Sequence, residues 1–219
     1  MDAATLLQNE EHRGEVYRLL SRCYYLPDEY TLAQVAELIE ALKAIYPETA
    51  ELALNMSGEM DLEQQKIDFS RLFVGPFKVL APPYGSVYLE PGRRVMGDST
   101  VDARNRYREA GLDFSDNLKE APDHIAFELE FMYYLIYKEL EALASSDRQT
   151  ALAFLKKRWG FLVDHLGAWI SDFAGVVEEN ATTNFYKSLA RLTKVFVQKD
   201  KAEISRVALA KLVDEQQTD

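Results

Sequence analysis

Basic residues are the first shortage. Against 36 Asp and Glu the chain sets 25 Lys and Arg, for a net charge of −11. A phosphate backbone demands a basic footprint, so nucleic acid is excluded as a partner class. Cysteine is scarcer still. Cys23 stands alone, which excludes an intramolecular disulfide and any cysteine-based zinc site. Long apolar runs are missing too: none approaches the roughly 18 residues of a membrane-spanning helix, so no stable membrane insertion is expected. The opening Met1-Asp2-Ala3-Ala4-Thr5 has neither a basic n-region nor an apolar h-region, so it does not read as a secretory signal. The expectation is a soluble cytoplasmic protein.

Glycine and proline are also few, ten and seven, but they gather between positions 75 and 97. What fills the rest is a 47% apolar, 11% aromatic chain, which excludes disorder. Its periodicity is helical. Val16, Leu19, Leu20, Cys23 and Tyr24 repeat at helical spacing and stop before Pro27. Thr31 and Gln34 suggest a capping box ahead of Leu32, Val35, Ile39, Leu42 and Ile45, closed by Pro47. A short helix is expected over residues 48–56. Asp61 caps another with Leu62, Phe69, Leu72 and Phe73 inside, ending at Gly75-Pro76.

Helices resume at Asp98 or Ser99, with a stop at Gly111. Pro122 suits the first turn of a long helix carrying Ile125, Leu129, Met132, Ile136, Leu140 and Leu143. Leu152, Leu155, Trp159, Leu162, Leu166, Trp169 and Phe173 read as one further helix. Asn180 or Thr182 starts a helix bearing Phe185, Leu189, Leu192 and Phe196, and a last one covers about 201–213. No repeat or flexible linker is visible. The expected fold is a single all-α domain, a helical bundle over residues 1–219 with one long ordered loop.

That loop carries the unusual chemistry. Pro76, Pro82, Pro83 and Pro91 forbid a continuous helix between Gly75 and Asp98, and a strand over residues 86–89 would have no partner. An ordered loop of this length in a compact domain is usually functional. Phe73, Phe77, Tyr84 and Tyr88 either tuck under the bundle or stand ready for a partner. Proline rigidity lowers the entropic cost of the second arrangement, and spaced apolar anchors on a rigid loop suit a peptide groove.

The second unusual segment is Glu120-Ala121-Pro122-Asp123-His124, opening the strongest apolar stripe. His124 and Glu128 share a helix face at metal-ligand spacing, but two ligands do not make a site, and the paired motifs of a di-metal bundle are missing. Asp123 beside His124 resembles an oriented acid–base dyad, with no nucleophile motif, phosphate cradle or dinucleotide fingerprint to accompany it. The plain alternative is that both residues cap the helix start. His12 and His165 read as solvated and structural.

Leu72-Phe73-Val74-Gly75-Pro76, the run from Pro82 through Tyr88 and Gly97-Asp98-Ser99-Thr100 together resemble the TorD/DmsD family of redox-enzyme maturation chaperones. Glu120 to His124 resembles that family's Glu-x-Pro-x-Asp-His signature, without the residue between proline and aspartate. The likeness is strongest over residues 66–140. It implies a TorD-like all-helical fold, no enzyme activity, no cofactor, and a monomer or domain-swapped dimer. The implied partner is the twin-arginine signal peptide of a molybdenum-cofactor oxidoreductase of the dimethyl sulfoxide or trimethylamine N-oxide reductase type, held in the cytoplasm until cofactor insertion and export. Guanine nucleotide is associated with some members, and this chain has no glycine-rich phosphate loop for it.

On this reading the apolar part of the leader lies against Leu72, Phe77, Pro83, Tyr84, Val87 and Tyr88, with Ser86 between them. Asp123, with Glu120 or Glu128, faces the arginines beside Pro122 and His124, since carboxylates match guanidinium in bidentate geometry. Four buried anchors give roughly 6–12 kcal/mol gross, so the apolar segment is expected to outweigh the arginines. Two other readings stay open: a nitrate-reductase-type assembly chaperone acting on the body of a cytoplasmic catalytic subunit, and a ligand-binding or hydrolytic enzyme using Asp123 and His124.

Overall fold

The computed structural model describes residues 3–58, 61–75, 78–113 and 120–216. Among them every regular element is helical. The order is α1 (Ala3–Cys23), α2 (Thr31–Ile45), α3 (Pro47–Met56), α4 (Leu62–Phe69), α5 (Ser86–Leu89), α6 (Asp98–Glu109), α7 (Ile125–Ala144), α8 (Arg148–Asp164), α9 (Leu166–Asn180) and α10 (Asn184–Gln216). α7 packs on α1 and α8, and α10 packs on α9 and α3. The stripes read from sequence meet there: Leu129, Met132, Ile136, Leu162, Trp169, Phe173 and Phe196 are buried.

Several boundaries differ from expectation, each for a local reason. No Thr31–Gln34 box forms. Thr31 Oγ1 instead accepts the Asp28 N–H at 2.9 Å, and Asp28 accepts that of Tyr30 at 3.0 Å, so the polar pair organises the turn before α2. The run from Leu152 to Phe173 is two helices. His165 leaves the helical region at φ −119°, ψ −108°, and Gly167 follows, where a Cβ would overlap the Leu162 carbonyl. The last two expected helices are one, α10. Pro122 precedes α7 rather than opening it.

Asp61 caps α4 as expected, accepting the N–H groups of Glu63 and Gln64. α4 then loosens into a π-helical turn over Ser70–Val74, in which the Gly75 N–H reaches the Ser70 carbonyl at 2.6 Å. Such turns redirect a chain sharply and cluster at functional sites. This one launches the proline–glycine loop. Asp68, buried here, accepts from Thr182 N, Thr183 N and Thr183 Oγ1 at 2.8–2.9 Å and so anchors the start of α10.

Candidate functional site

The loop is fastened to the start of α7 along its whole middle. The Ile125 N–H donates to the Pro83 carbonyl at 2.8 Å and the Gly85 N–H to the Asp123 carbonyl at 2.9 Å, pairing Tyr84 with His124 in a single antiparallel bridge. Asp123 Oδ2 accepts the Ser86 N–H at 2.7 Å, so this carboxylate caps α5 from another segment. The Tyr107 hydroxyl on α6 holds the Pro122 carbonyl at 2.8 Å. Residues 86–89, which look strand-like in sequence, are therefore one helical turn with an imported cap. Glu90 returns the device: its Oε1 accepts the Ser99 N–H at 2.8 Å at the start of α6.

Beneath the loop lies Trp169. Its Nε1–H donates to Glu128 Oε2 at 2.8 Å, and its ring stacks on Tyr88 with centroids 5.5 Å apart and planes 14° from parallel. Gly85 crosses directly above, and a Cβ there would stand 2.9 Å from Trp169 Nε1 and 3.3 Å from Glu128 Oε1. Only glycine lets the backbone come so close. Burial raises the Glu128 carboxyl above its ordinary range, against the opposing pull of His165 and Trp169. His165 Nε2 lies 2.7 Å from Asp102 Oδ2, and its Nδ1 lies 3.7 Å from Glu128. Burial pulls this imidazole down, but Glu128 and Asp102 outweigh it, and it titrates above an ordinary histidine.

His124 is the N-cap of α7. Its Nδ1 accepts the Ala126 N–H at 3.2 Å, which requires a neutral ring protonated at Nε2. Burial lowers its pKa to about 4 despite Glu120 and Asp123 nearby. Asp123 and His124 thus turn to different partners, and the dyad geometry of an acid–base pair is not formed. Glu128 turns to Trp169 rather than joining His124 around an ion. Among the described residues no group of three His, Cys, Asp or Glu side chains is arranged to hold a metal.

The residues expected to meet a leader fall into two sets. Leu72, Pro83, Ser86, Val87, Asp123 and Glu128 are buried and already engaged. Neither Asp123 nor Glu128 presents any surface to solvent, so neither reaches an arginine while the loop is seated. Tyr84, Tyr88, Glu120 and Pro122 keep exposed surface, and His124 keeps a 9% sliver. The Tyr84 hydroxyl donates to Glu120 at 2.6 Å, and its ring meets His124 edge-on at 5.4 Å. Phe77 lies outside the described residues. Sequence reasoning gave Trp169 and His165 no role at this site. The available signal was Glu128, a carboxylate inside an apolar stripe, which has to find buried donors.

The nitrate reductase delta subunit family model matches residues 30–175. The chain is 27% identical over 208 residues to the Tat proofreading chaperone DmsD of Salmonella typhimurium, covering 91% of this chain and 94% of that one. It is 31% identical to the chaperone protein TorD of Vibrio cholerae (strain O395), covering 87% and 79%. The chain belongs to the TorD/DmsD family. A crystal structure described as a redox enzyme maturation protein from Archaeoglobus fulgidus superposes with a TM-score of 0.54 at 27% identity, covering 84% of this chain and 93% of that one. These TorD/DmsD relatives carry the names of chaperones rather than enzymes. The all-helical TorD-like architecture is common to the chain and its structural neighbour. No helix among the described residues is long and apolar enough to cross a membrane.

Proposed function

We propose that this protein is a cytoplasmic chaperone that binds the twin-arginine leader of a molybdenum-cofactor oxidoreductase and holds it until cofactor insertion precedes export. The observation that carries this reading is the clasp between loop and α7, which holds Tyr84, Glu120 and His124 as one pre-organised aromatic and acidic patch. Pre-organisation lowers the ordering cost of capturing a flexible peptide. Relatives named as Tat proofreading and TorD chaperones add to the support.

The balance of forces differs from the sequence expectation. Leu72, Pro83 and Val87 are already occupied inside, so among the described residues Tyr84 and Tyr88 remain as apolar anchors, worth roughly 3–6 kcal/mol gross. Against an association cost of about 4 kcal/mol or more, charge recognition has to supply a larger share. The test is calorimetry of the intact chain with a client carrying or lacking its leader. Leader-dependent binding near micromolar is expected. Equal binding without the leader would favour a second reading, that of an assembly factor gripping the body of a cytoplasmic catalytic subunit, which the nitrate reductase delta subunit match supports.

A further inference from the structure

His165 breaks the chain between α8 and α9, yet its ring is fixed in place. Its N–H donates to the Phe161 carbonyl at 2.9 Å, and its carbonyl accepts the Ala168 N–H at 2.7 Å. The ring stacks on that of Phe161, with centroids 4.8 Å apart and planes 11° from parallel. From there its two nitrogens face carboxyl groups on two other elements. Asp102 of α6 lies 2.7 Å from Nε2. Burial works against the charge on Asp102, but His165 and Arg106 outweigh it, so an ionised acceptor keeps the proton on Nε2. Nδ1 is left facing Glu128 Oε1 at 3.7 Å, and both atoms are buried with no hydrogen-bond partner among the described residues. A ring lone pair set against a carboxylate is repulsive, and burial leaves little solvent to screen it. A second proton, on either atom, makes the same contact attractive. Glu128 gives its other oxygen to Trp169, which carries Tyr88 of α5 and lies directly beneath Gly85.

We propose that His165 is a positioning residue for the clasp: one proton shared with Glu128 holds Trp169 and Tyr88 under the loop, and its loss as pH rises frees the loop from α7. The two groups titrate as one pair. Both shift the same way. Burial raises Glu128, while burial lowers His165 and is outweighed by Glu128 and Asp102. The pair's stabilisation is therefore present below the ordinary histidine value of 6.5 and lost as pH rises through the folded value. Neighbouring groups leave that window clear. Arg106 opposes charge on the ring, but it is committed to Asp102 and Asp164, and Asp123 favours the proton on Glu128. Burial keeps the Tyr107 and Tyr88 phenols neutral. His124, lowered by burial to about 4, is neutral throughout. Lys201 of α10 donates to the Gly167 carbonyl at 3.4 Å.

The experiment is amide exchange of the intact chain between about pH 6 and about pH 9, above ordinary carboxyls and below ordinary lysines and tyrosines. Rates are corrected for the intrinsic pH dependence of exchange. In wild type, opening at Gly85 and Ser86 should rise about fivefold across this window, the equivalent of one ordinary hydrogen bond, while the core of α7 stays protected. Glu128→Gln keeps an oxygen for Trp169 and offers its amide N–H to Nδ1, so it mimics the held proton and should abolish the rise. Asp102→Asn keeps an acceptor for Nε2–H without the charge and should move the rise to lower pH. Thermal melts control for folding. Flat exchange at Gly85 and Ser86 in wild type would overturn the assignment, and so would a Glu128→Gln chain that opens with pH as wild type does. If Glu128→Gln does not fold, Asp102→Asn decides alone, and a rise left at the wild-type pH overturns the proposal. No client is present in any arm, so the outcome is separate from the leader reading.

Discussion

Two clusters of buried charge share this bundle and follow opposite rules. In one, Asp200 Oδ1 accepts from Arg13 and Arg158, each at 2.8 Å, and its Oδ2 takes the Tyr17 hydroxyl at 2.6 Å. Glu10 takes Arg158 at 2.6 Å, while Glu203 takes Arg13 at 2.7 Å and the Tyr46 hydroxyl. Among the described residues, Arg158 Nε is buried there without a hydrogen-bond partner. In the other cluster, under the loop, Asp123 Oδ1, Ser86 Oγ and Tyr88 Oη are buried without a hydrogen-bond partner among the described residues, and Glu128 Oε1 and His165 Nδ1 face each other at 3.7 Å, beyond hydrogen-bond distance. Each such atom costs about 1–3 kcal/mol if water does not reach it. The satisfied cluster locks α1, α8 and α10 together. The unsatisfied one lies where a clasped loop meets its floor, so local opening is expected there first.

The largest effect should come from breaking the satisfied cluster. Asp200→Ala leaves two buried guanidiniums short of their shared acceptor and should cost about 3–5 kcal/mol in urea unfolding. Leader affinity of the molecules still folded should not change. A loss under 1 kcal/mol would mean that water already shares the load, and the contrast between the clusters would fail.

Next is acid. The folded-state pKa of His124 is depressed to about 4, so its contribution is present above the ordinary value of 6.5 and is lost as pH falls through 4. An unfolded chain takes up that proton first, and the loss amounts to at most ~3 kcal/mol. His165 has the opposite sign: its raised pKa gives stability that is present below 6.5 and fades as pH rises through the folded value. His124→Asn keeps a capping oxygen and should flatten the acid limb alone. An unchanged acid limb in that variant would refute the cap assignment.

Asp123→Ala should cost less, about 1–2 kcal/mol, the usual range for a lost cap. Its distinguishing readout is amide exchange. Protection should fall at Ser86 and Gly85 before it falls in α7, since the carboxylate binds the loop rather than the helix core. Equal loss in both would make the clasp part of the global fold.

The two clusters also differ in how far sequence exposes them. Helical stripes are local and periodic, so α1, α2, α3 and the buried face of α7 are legible as elements, although Leu32 and Leu143, read into the apolar stripes, stand exposed. The loop is legible as an exception, because prolines and glycines collect there. Long-range pairing is not: nothing near Asp200 announces Arg13, 187 residues away, or Arg158. Asp123 and Glu128 invite assignment to a ligand because a carboxylate in a motif reads as exposed until its buried donors, Ser86 N–H and Trp169 Nε1–H, are known.

The smallest expected effect probes the unsatisfied cluster itself. Tyr88 keeps its ring stacked on Trp169 and braced edge-on by Phe173 at 5.9 Å, while its hydroxyl is buried with no protein acceptor. Tyr88→Phe retains both ring contacts and deletes only the oxygen. If the space beneath the loop is dry, removing an unpaired polar atom should leave stability unchanged or raise it by up to ~1 kcal/mol. If ordered water links Tyr88 Oη to the free oxygens of Asp123 or Glu128, the same change should cost about 1 kcal/mol, because a bridging water is nearly as good as a direct bond. Urea unfolding of Tyr88→Phe beside Asp123→Ala decides between them. A dry gap predicts additive changes, since the hydroxyl and the carboxylate then share no partner. A loss in Tyr88→Phe that vanishes in the Asp123→Ala background would instead identify a shared water and make this cluster as well satisfied as the first.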